Sequence, residues 1–585
     1  MKTQKALLLI LVFLLILSTS LPSLLVASAQ TPIRVEKIML AAVTENKTGI
    51  IIPTTIEVFP GNGNIQIIDQ GGKVSESTIS SIRYALSVAS IITGRTDSPY
   101  DYKIIFPKDT DISGTSATLP FTIVFSAILT NTPIRHDYSA TGILMPNGIV
   151  GNVSGIYLKY NAAILNNIEL FIGPYIKSSP GTNYFPVATI YEAYDLVTKT
   201  SLLGRTNHII IPSSIDFQNY FINATKEFQN LTKNVLSITP TTYESLAWKF
   251  YRLSIKYSKM NDWYTAASYG FRSYMEALIG RSLYLQEKNP DMYKVWAKKL
   301  ESWYLGNLTL AKKNMYRLGN YTYQHLNLWN IDLYVNTYIR YSIALSSYQL
   351  FRATHSITQL VVALTRIMTA KQWGSIETIN TQTITYNELL QTYKMLYRYT
   401  NTSINYFVSM KYISNTTSSI LKSIEHSEND LVKLGKLIYI QYLLTDDLLS
   451  LQPPVFAPYL TPDYILELNK TVSKLANYLF YMSGTPVLSA MTTIDVARAY
   501  AVEMENITVI DGLLVSELTL LTMYKAFFIN PVYSPLQQYS SSEANVETQV
   551  ITGTPTYETL FYAIAIVLIS LGAFLAGFSI RKYLG

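Results

Sequence analysis

The hydrophobic period of this chain changes once, near residue 205, and that change limits its architecture more than any other feature. Over 31–205, short β-branched runs alternate with helical segments. The stretches 49–59 (GIIIPTTIEVF) and 64–68 read as strands, separated by the turn signal Pro60-Gly61-Asn62-Gly63. Residues 75–92 fit a helix with Ile79, Ile82, Leu86 and Ala89 along one face. A strand over 102–106 and a polar loop lead to a helix expected from about Ser116 to Thr130. Pro120 is tolerable there because first-turn N–H groups have no intrahelical partner to lose. The alternation predicts an α/β or α+β domain. After a connector at 206–239, residues 240–529 show long helices rich in Tyr, Leu, Trp and Ala. Residues 243–257 and 263–285 read as an antiparallel pair joined by the polar turn at 258–262. Further breaks fall at Asn289-Pro290, Gly374-Ser375 and Pro453-Pro454. The stacking is similar to a tetratricopeptide solenoid but lacks a clean period, so the expectation is an irregular all-α helical array. Its aromatic stripes are expected to form core rather than binding surface.

Two apolar runs frame these segments. Lys2 and Lys5, the apolar stretch 6–17 and the small residues Ala27-Ser28-Ala29 have the form of a secretory signal peptide over 1–30, or of an uncleaved anchor. Near the other end, 559–580 carries no charge and is about the ~20 residues a membrane-crossing helix needs. Arg581 and Lys582 follow at once, as suits a cytoplasmic end. The expected order is therefore signal, outward-facing ectodomain, a Ser/Pro/Gly/Thr-rich stalk at 530–557, a transmembrane helix at 558–580, and a tail at 581–585. This places the protein in the cell membrane as a single-pass chain. With no cysteine, disulfides, thiolate metal sites and a cysteine nucleophile are excluded. Stability must come from packing, to which 46 tyrosines contribute large amphipathic surfaces. The net charge of +7 is spread along the chain, and no basic run points to nucleic acid. Sequons begin at Asn46, Asn152, Asn223, Asn230, Asn307, Asn320, Asn401, Asn415, Asn469 and Asn506, which favours a surface glycoprotein. The five histidines are scattered and no H-E-x-x-H occurs, so neither a metal nor any other cofactor is expected.

The chemistry gathers downstream of Asp111. Ser113-Gly114-Thr115-Ser116-Ala117-Thr118 resembles the D-G-P-S-A-G nucleophile motif of the Lon protease family. Residues 126–137 (SAILTNTPIRHD) resemble the family's S-A-L-T-G-x-P-V-R-x-D segment, and Ser139-Ala140-Thr141-Gly142 its A-M-T-G. Gly148-Ile149-Val150, Ser154-Gly155-Ile156 and the run from Lys159 to Ala163 are similar to its G-x-V-x-P-V-G-G-I-K-x-K-x-x-A-A stretch. The resemblance covers about residues 35–205 and implies a Lon-type proteolytic domain. By position it makes Ser116 the nucleophile and Lys159 its general base, with Thr141 beside the lysine amine. Gly114, Thr115 and Ser116 would form the loop entering a helix, where backbone N–H groups could receive an oxyanion. The sequence departs from the family at Ser113 (aspartate), Thr118 (glycine), Ile143 (often glutamate) and Ser154 (glycine). Composition and sequons together resemble those of archaeal surface proteins.

Chemistry independently asks for such a set. A serine hydroxyl is a weak nucleophile until a base lies within hydrogen-bond reach. Lysine can be that base only where desolvation lowers its pKa from ~10.4. Ile156, Leu158, Ala162 and Ala163 offer an apolar surround. No G-x-x-x-x-G-K-[ST] loop occurs, since Val74 follows Gly71-Gly72-Lys73, so the ATPase half of the family is missing. The expected activity is ATP-independent hydrolysis of extended polypeptides by a membrane-anchored serine endopeptidase. Family resemblance also suggests homo-oligomeric rings, which an anchored chain without the ATPase need not form. His136-Asp137 beside the site raises a Ser-His-Asp arrangement, but neighbours on a strand point to opposite faces. The rival reading is an inactive Lon-like scaffold whose helical array binds other envelope proteins.

Overall fold

A computed structural model describes residues 31–528, except 97–98, 109, 205–217, 414–420, 422–423, 425–428 and 452–455. The expected signal peptide, stalk, transmembrane helix and tail lie outside the described residues, as does the break at Pro453-Pro454. The chain is mixed α/β, with a sheet domain first and a large helical assembly after it.

The sheet has seven strands in the order β3-β4-β2-β1-β5-β8-β9. Strands β1 (Arg34–Val43) and β2 (Gly49–Pro60) form a long antiparallel hairpin. β4 (Tyr100–Ile105) pairs antiparallel with β2, and β3 (Ile65–Ile68) runs parallel to β4. On the other side, β5 (Tyr138–Ala140), β8 (Leu170–Pro174) and β9 (Tyr184–Val187) continue the sheet in parallel. Pro53 interrupts the β-branched run of β2 without breaking the ladder. It lacks an N–H to donate, and β4 pairs with β2 only from Thr55 onward. A separate pair, β6 (Ile143–Leu144) with β7 (Val150–Gly151), projects from the end of β5.

Strand alternation divides the apolar residues between two faces. Ile38, Leu40, Ile52 and Ile56 join the main core with helices α1 (Glu76–Thr93), α2 (Thr118–Leu129) and α4 (Ile190–Thr198). Ala41 and Phe171 look the other way, into a smaller core under α3 (Ile156–Leu165). The two expected helices thus form within one or two residues of their sequence-predicted bounds. Ser75 caps α1 by accepting from the Thr78 N–H at 3.3 Å.

The helical assembly contains α5 (Gln218–Leu236), α6 (Ser245–Lys259), α7 (Trp263–Lys288), α8 (Pro290–Gln324), α9 (Leu328–Thr354) and α10 (Ile357–Trp373). It continues with α11 (Tyr386–Ser409), α12 (Asp430–Ser450), α13 (Pro462–Ser483), α14 (Leu488–Val502) and α15 (Ile507–Lys525). Successive helices of 15, 26, 35 and 27 residues keep no fixed repeat. The connector read at 206–239 is corrected in part: α5 lies within it and belongs to the assembly, because Phe228, Val235 and Leu236 bury in the core that Tyr274 and Leu278 share.

The segment Ile507–Phe528 is long and apolar enough to cross a membrane by length and composition alone. Its surroundings are protein, with 61% of its most apolar window buried. Glu517 on its inner face accepts from the Ser489 hydroxyl at 2.9 Å. Such a carboxylate partner suits a core helix.

Candidate active site

The loop before α2 is held by the start of α1. Ile112 accepts from the Ser75 N–H at 2.9 Å, and the Gly114 N–H donates to the Ser77 hydroxyl at 3.3 Å. Gly114 has φ +129°, a conformation that side chains with a Cβ rarely adopt, so the sharp entry into α2 needs glycine there. Ser116 follows in the turn and stays partly exposed. Among the described residues, nothing accepts from the Ser116 or Ala117 backbone N–H groups, which open the helix.

Thr118, where the sequence departs from the motif it resembles, locks this turn to the next strand. Its hydroxyl donates to the Gly142 carbonyl at 2.9 Å and accepts from the Leu144 N–H at 3.1 Å. The Gly142 N–H in turn donates to the Ser116 carbonyl at 3.1 Å. Thr141, at the end of β5, is wholly buried beside this junction.

Lys159 reaches the same point from the opposite face of the sheet. It sits one turn into α3, which lies close on β2. A Cβ at Gly49 would fall 2.0 Å from the Leu158 carbonyl oxygen, so the lysine helix can approach this closely only because position 49 is glycine. Ile156 and Ala163 bury α3 against Ala41 and Phe171.

The two residues, 43 positions apart in sequence, meet: Lys159 Nζ lies 2.9 Å from Ser116 Oγ. The amine also donates to Thr141 Oγ1 at 3.1 Å. Lys159 is 4% exposed and has no carboxylate partner among the described ion pairs. Burial alone pushes its pKa down to about 8. The result is a surface-facing hydroxyl backed by a desolvated amine, which can take a proton from serine near neutral pH.

Other residues singled out in the sequence stand apart. His136 is exposed in a bend, and the Asp137 carboxylate is gripped by Arg135 Nε at 2.5 Å, which holds its pKa well below the usual carboxylate range. Among the described residues no hydrogen bond joins His136 to Ser116. Ser113 and Ser154 are exposed, whereas Ile143 is fully buried. No group of three or more His, Asp or Glu among the described residues is placed to hold a metal. Asn152, a sequon residue near the start of α3, donates its N–H to the Phe456 carbonyl at 2.9 Å. That contact, and the Tyr459 N–H donating to the Tyr175 carbonyl at 2.9 Å, bring the α12–α13 loop against the domain. Sequence reading missed these contacts and the roles of Ser77 and Thr118. Only Thr118 left a signal, as a hydroxyl at the start of a helix.

No protein-family model matches this chain, and no curated protein matches it either.

Proposed function

We propose that this protein is an ATP-independent serine endopeptidase that hydrolyses polypeptides through a Ser116–Lys159 dyad. The observation that carries the reading is the 2.9 Å contact between the Ser116 hydroxyl and a buried amine that has no carboxylate partner among the described residues. The neutral Lys159 accepts the serine proton as Oγ attacks the peptide carbonyl. The ammonium then returns that proton to the leaving amine, giving an acyl-enzyme. Water attacks the ester with Lys159 again as base, and Ser116 is regenerated. The Ser116 and Ala117 N–H groups, at the positive end of α2, are suited to the negative charge of each tetrahedral intermediate. Thr141 orients the amine by accepting one of its hydrogens. Peptide rather than small-ester substrates are favoured by the sequence resemblance over 35–205, and independence from ATP by the lack of a phosphate-binding loop. The apolar run at 558–580 with Arg581 and Lys582 after it supports an anchored, outward-facing enzyme.

Replacing Ser116 with Ala in the full chain tests the proposal. Wild type should cleave a mixture of internally quenched peptides, and Ser116→Ala should lose about 10³-fold or more in rate while keeping its circular dichroism spectrum. Equal hydrolysis by both proteins, or none by wild type across pH 5–9, would favour a scaffold instead.

A further inference from the structure

Helices α5, α7, α10, α12 and α15 surround a cavity of about 1110 Å³ inside the helical assembly. It lies apart from Ser116, none of whose neighbours line it. Sites for drug-sized ligands typically span ~300–1,000 Å³ and combine apolar walls with a few polar groups. This wall has that character, with Phe271, Trp373, Tyr264 and Val362 beside a small set of charges.

Most of those charges neutralise one another. Lys249 and Arg272 both bind Glu505, at 2.9 and 3.3 Å, and Lys371 binds Glu227 at 3.3 Å. Glu276, another acid of the wall, has an interaction of its own, and two guanidinium groups lie outside these ion pairs. Among the described residues Arg340 donates to neutral acceptors, the Asn336 carbonyl at 3.1 Å and Oδ1 at 2.6 Å, and lies over Trp373 at 4.3 Å, while its charge also acts on the buried Asp332 and Glu517. Arg366 makes no hydrogen bond or ion pair among the described residues; its guanidinium lies over the Phe271 ring at 5.2 Å, and Tyr442, Tyr264 and Tyr500 are its favourable electrostatic neighbours. It nonetheless lies deep enough that burial, with Arg340 adding like-charge repulsion, lowers its pKa. Asp446, the acid on the α12 wall, is itself pushed up to about 7 by burial and so offers little charge below neutrality. A planar cation with five donors and no acceptor is costly inside a protein. A bound oxyanion would satisfy it and relieve its repulsion with Arg340.

We propose that the helical assembly holds a second site, which binds a small amphiphile: a carboxylate head at Arg366 and Arg340, and an aromatic or aliphatic body along Phe271, Trp373 and Val362. Peptide-bond hydrolysis does not require this site, which can therefore be present whether or not the dyad is active.

The test uses the full chain in lipid nanodiscs, with empty nanodiscs as the blank. Pyrenebutyrate and its neutral amide are titrated while energy transfer from tryptophan to pyrene is followed, and dodecanoate is added as a competitor. The carboxylate should saturate at micromolar concentrations, and the amide should bind about 10- to 100-fold more weakly, the range expected for losing charge-assisted hydrogen bonds. Arg366→Gln should reduce the affinity for the carboxylate to that for the amide. Displacement by dodecanoate would extend the site to aliphatic bodies, and its failure would restrict it to aromatic ones. The acid-to-amide comparison in wild type needs no variant, so it stands even if Arg366→Gln folds poorly. Equal affinity for acid and amide, or no saturable binding up to about 1 mM, overturns the proposal.

Discussion

The dyad can be interrogated by titrating its amine while altering the hydroxyl that orients it. With Lys159 at about 8, catalysis should rise about tenfold per pH unit below that value and level off above it. At pH 7 only about a tenth of the molecules carry the neutral base. Thr141→Val is nearly isosteric at a fully buried position, and it removes the acceptor 3.1 Å from Nζ. A hydrogen bond from the ammonium is worth ~1.5–3 kcal/mol and one from the neutral amine ~0.5–1.5 kcal/mol. The charged form therefore loses roughly 1–1.5 kcal/mol more, which is about one pH unit. The midpoint of the acid limb should move down by about that much, while the plateau falls because the amine is no longer aimed at Ser116. Values of kcat/KM for a quenched peptide between pH 5 and 9 would show both effects. A packing defect alone would lower the plateau and leave the midpoint in place. A midpoint that stays fixed or rises in Thr141→Val would refute the reasoning.

Two further outcomes concern stability, read from thermal melts across pH. Lys159 is depressed by burial, so the folded protein binds fewer protons than the unfolded chain between about 8 and 10.5. Its penalty is full below about 8 and fades as pH rises to 10.5, so Lys159→Met should be inactive and more stable by roughly 2–3 kcal/mol at pH 7, with no gain near 10.5. Glu192 on α4 accepts from the Ala188 N–H at 2.8 Å and from Thr471 of α13 at 3.1 Å, and burial pushes it up to about 7. Here the folded state binds more protons between 4.5 and about 7, so the penalty appears as pH rises through that window. Because the side chain keeps some exposed surface, Glu192→Gln should gain on the order of 1–2 kcal/mol at pH 8 and nothing near pH 4.

What the sequence revealed of this fold was whatever left a local trace. The run GIIIPTTIEVF became β2, and the 3.6-residue spacing of Ile82, Leu86 and Ala89 became the buried face of α1. Ser116 and Lys159 could be singled out through the motif resemblance over 35–205, with an apolar surround at Ile156, Leu158, Ala162 and Ala163 in keeping with a lysine base. Their meeting could not be read locally, since it depends on α3 crossing the sheet at Gly49. Helix α5 looked like a connector because its apolar residues are sparse, and their partners lie on α7, far along the chain. Arg366 shows the limit most sharply. In the sequence it is one cation among 46 Lys and Arg, and only the arrangement of α9, α10 and α12 leaves it facing a cavity with no hydrogen bond or ion pair among the described residues.

The boundary near residue 205 divides two rhythms but not two cores. One continuous apolar cluster contains Ile82 and Tyr84 of α1 together with Tyr406 and Phe407 of α11. Tyr84 stacks on Tyr406 with centroids 4.4 Å apart, and Asn147 reaches across to the Thr519 hydroxyl at 3.2 Å. Helix α1 is also the element whose first turn braces the Ser116 loop, through Ser75 and Ser77. The helical assembly therefore supports the Ser116 loop from behind. Stripping it away would expose Tyr84, which is fully buried, and loosen the helix that holds Gly114 in place. In the proposed mechanism the pair tolerates little such loosening, because proton transfer runs across the single 2.9 Å contact between Lys159 and Ser116.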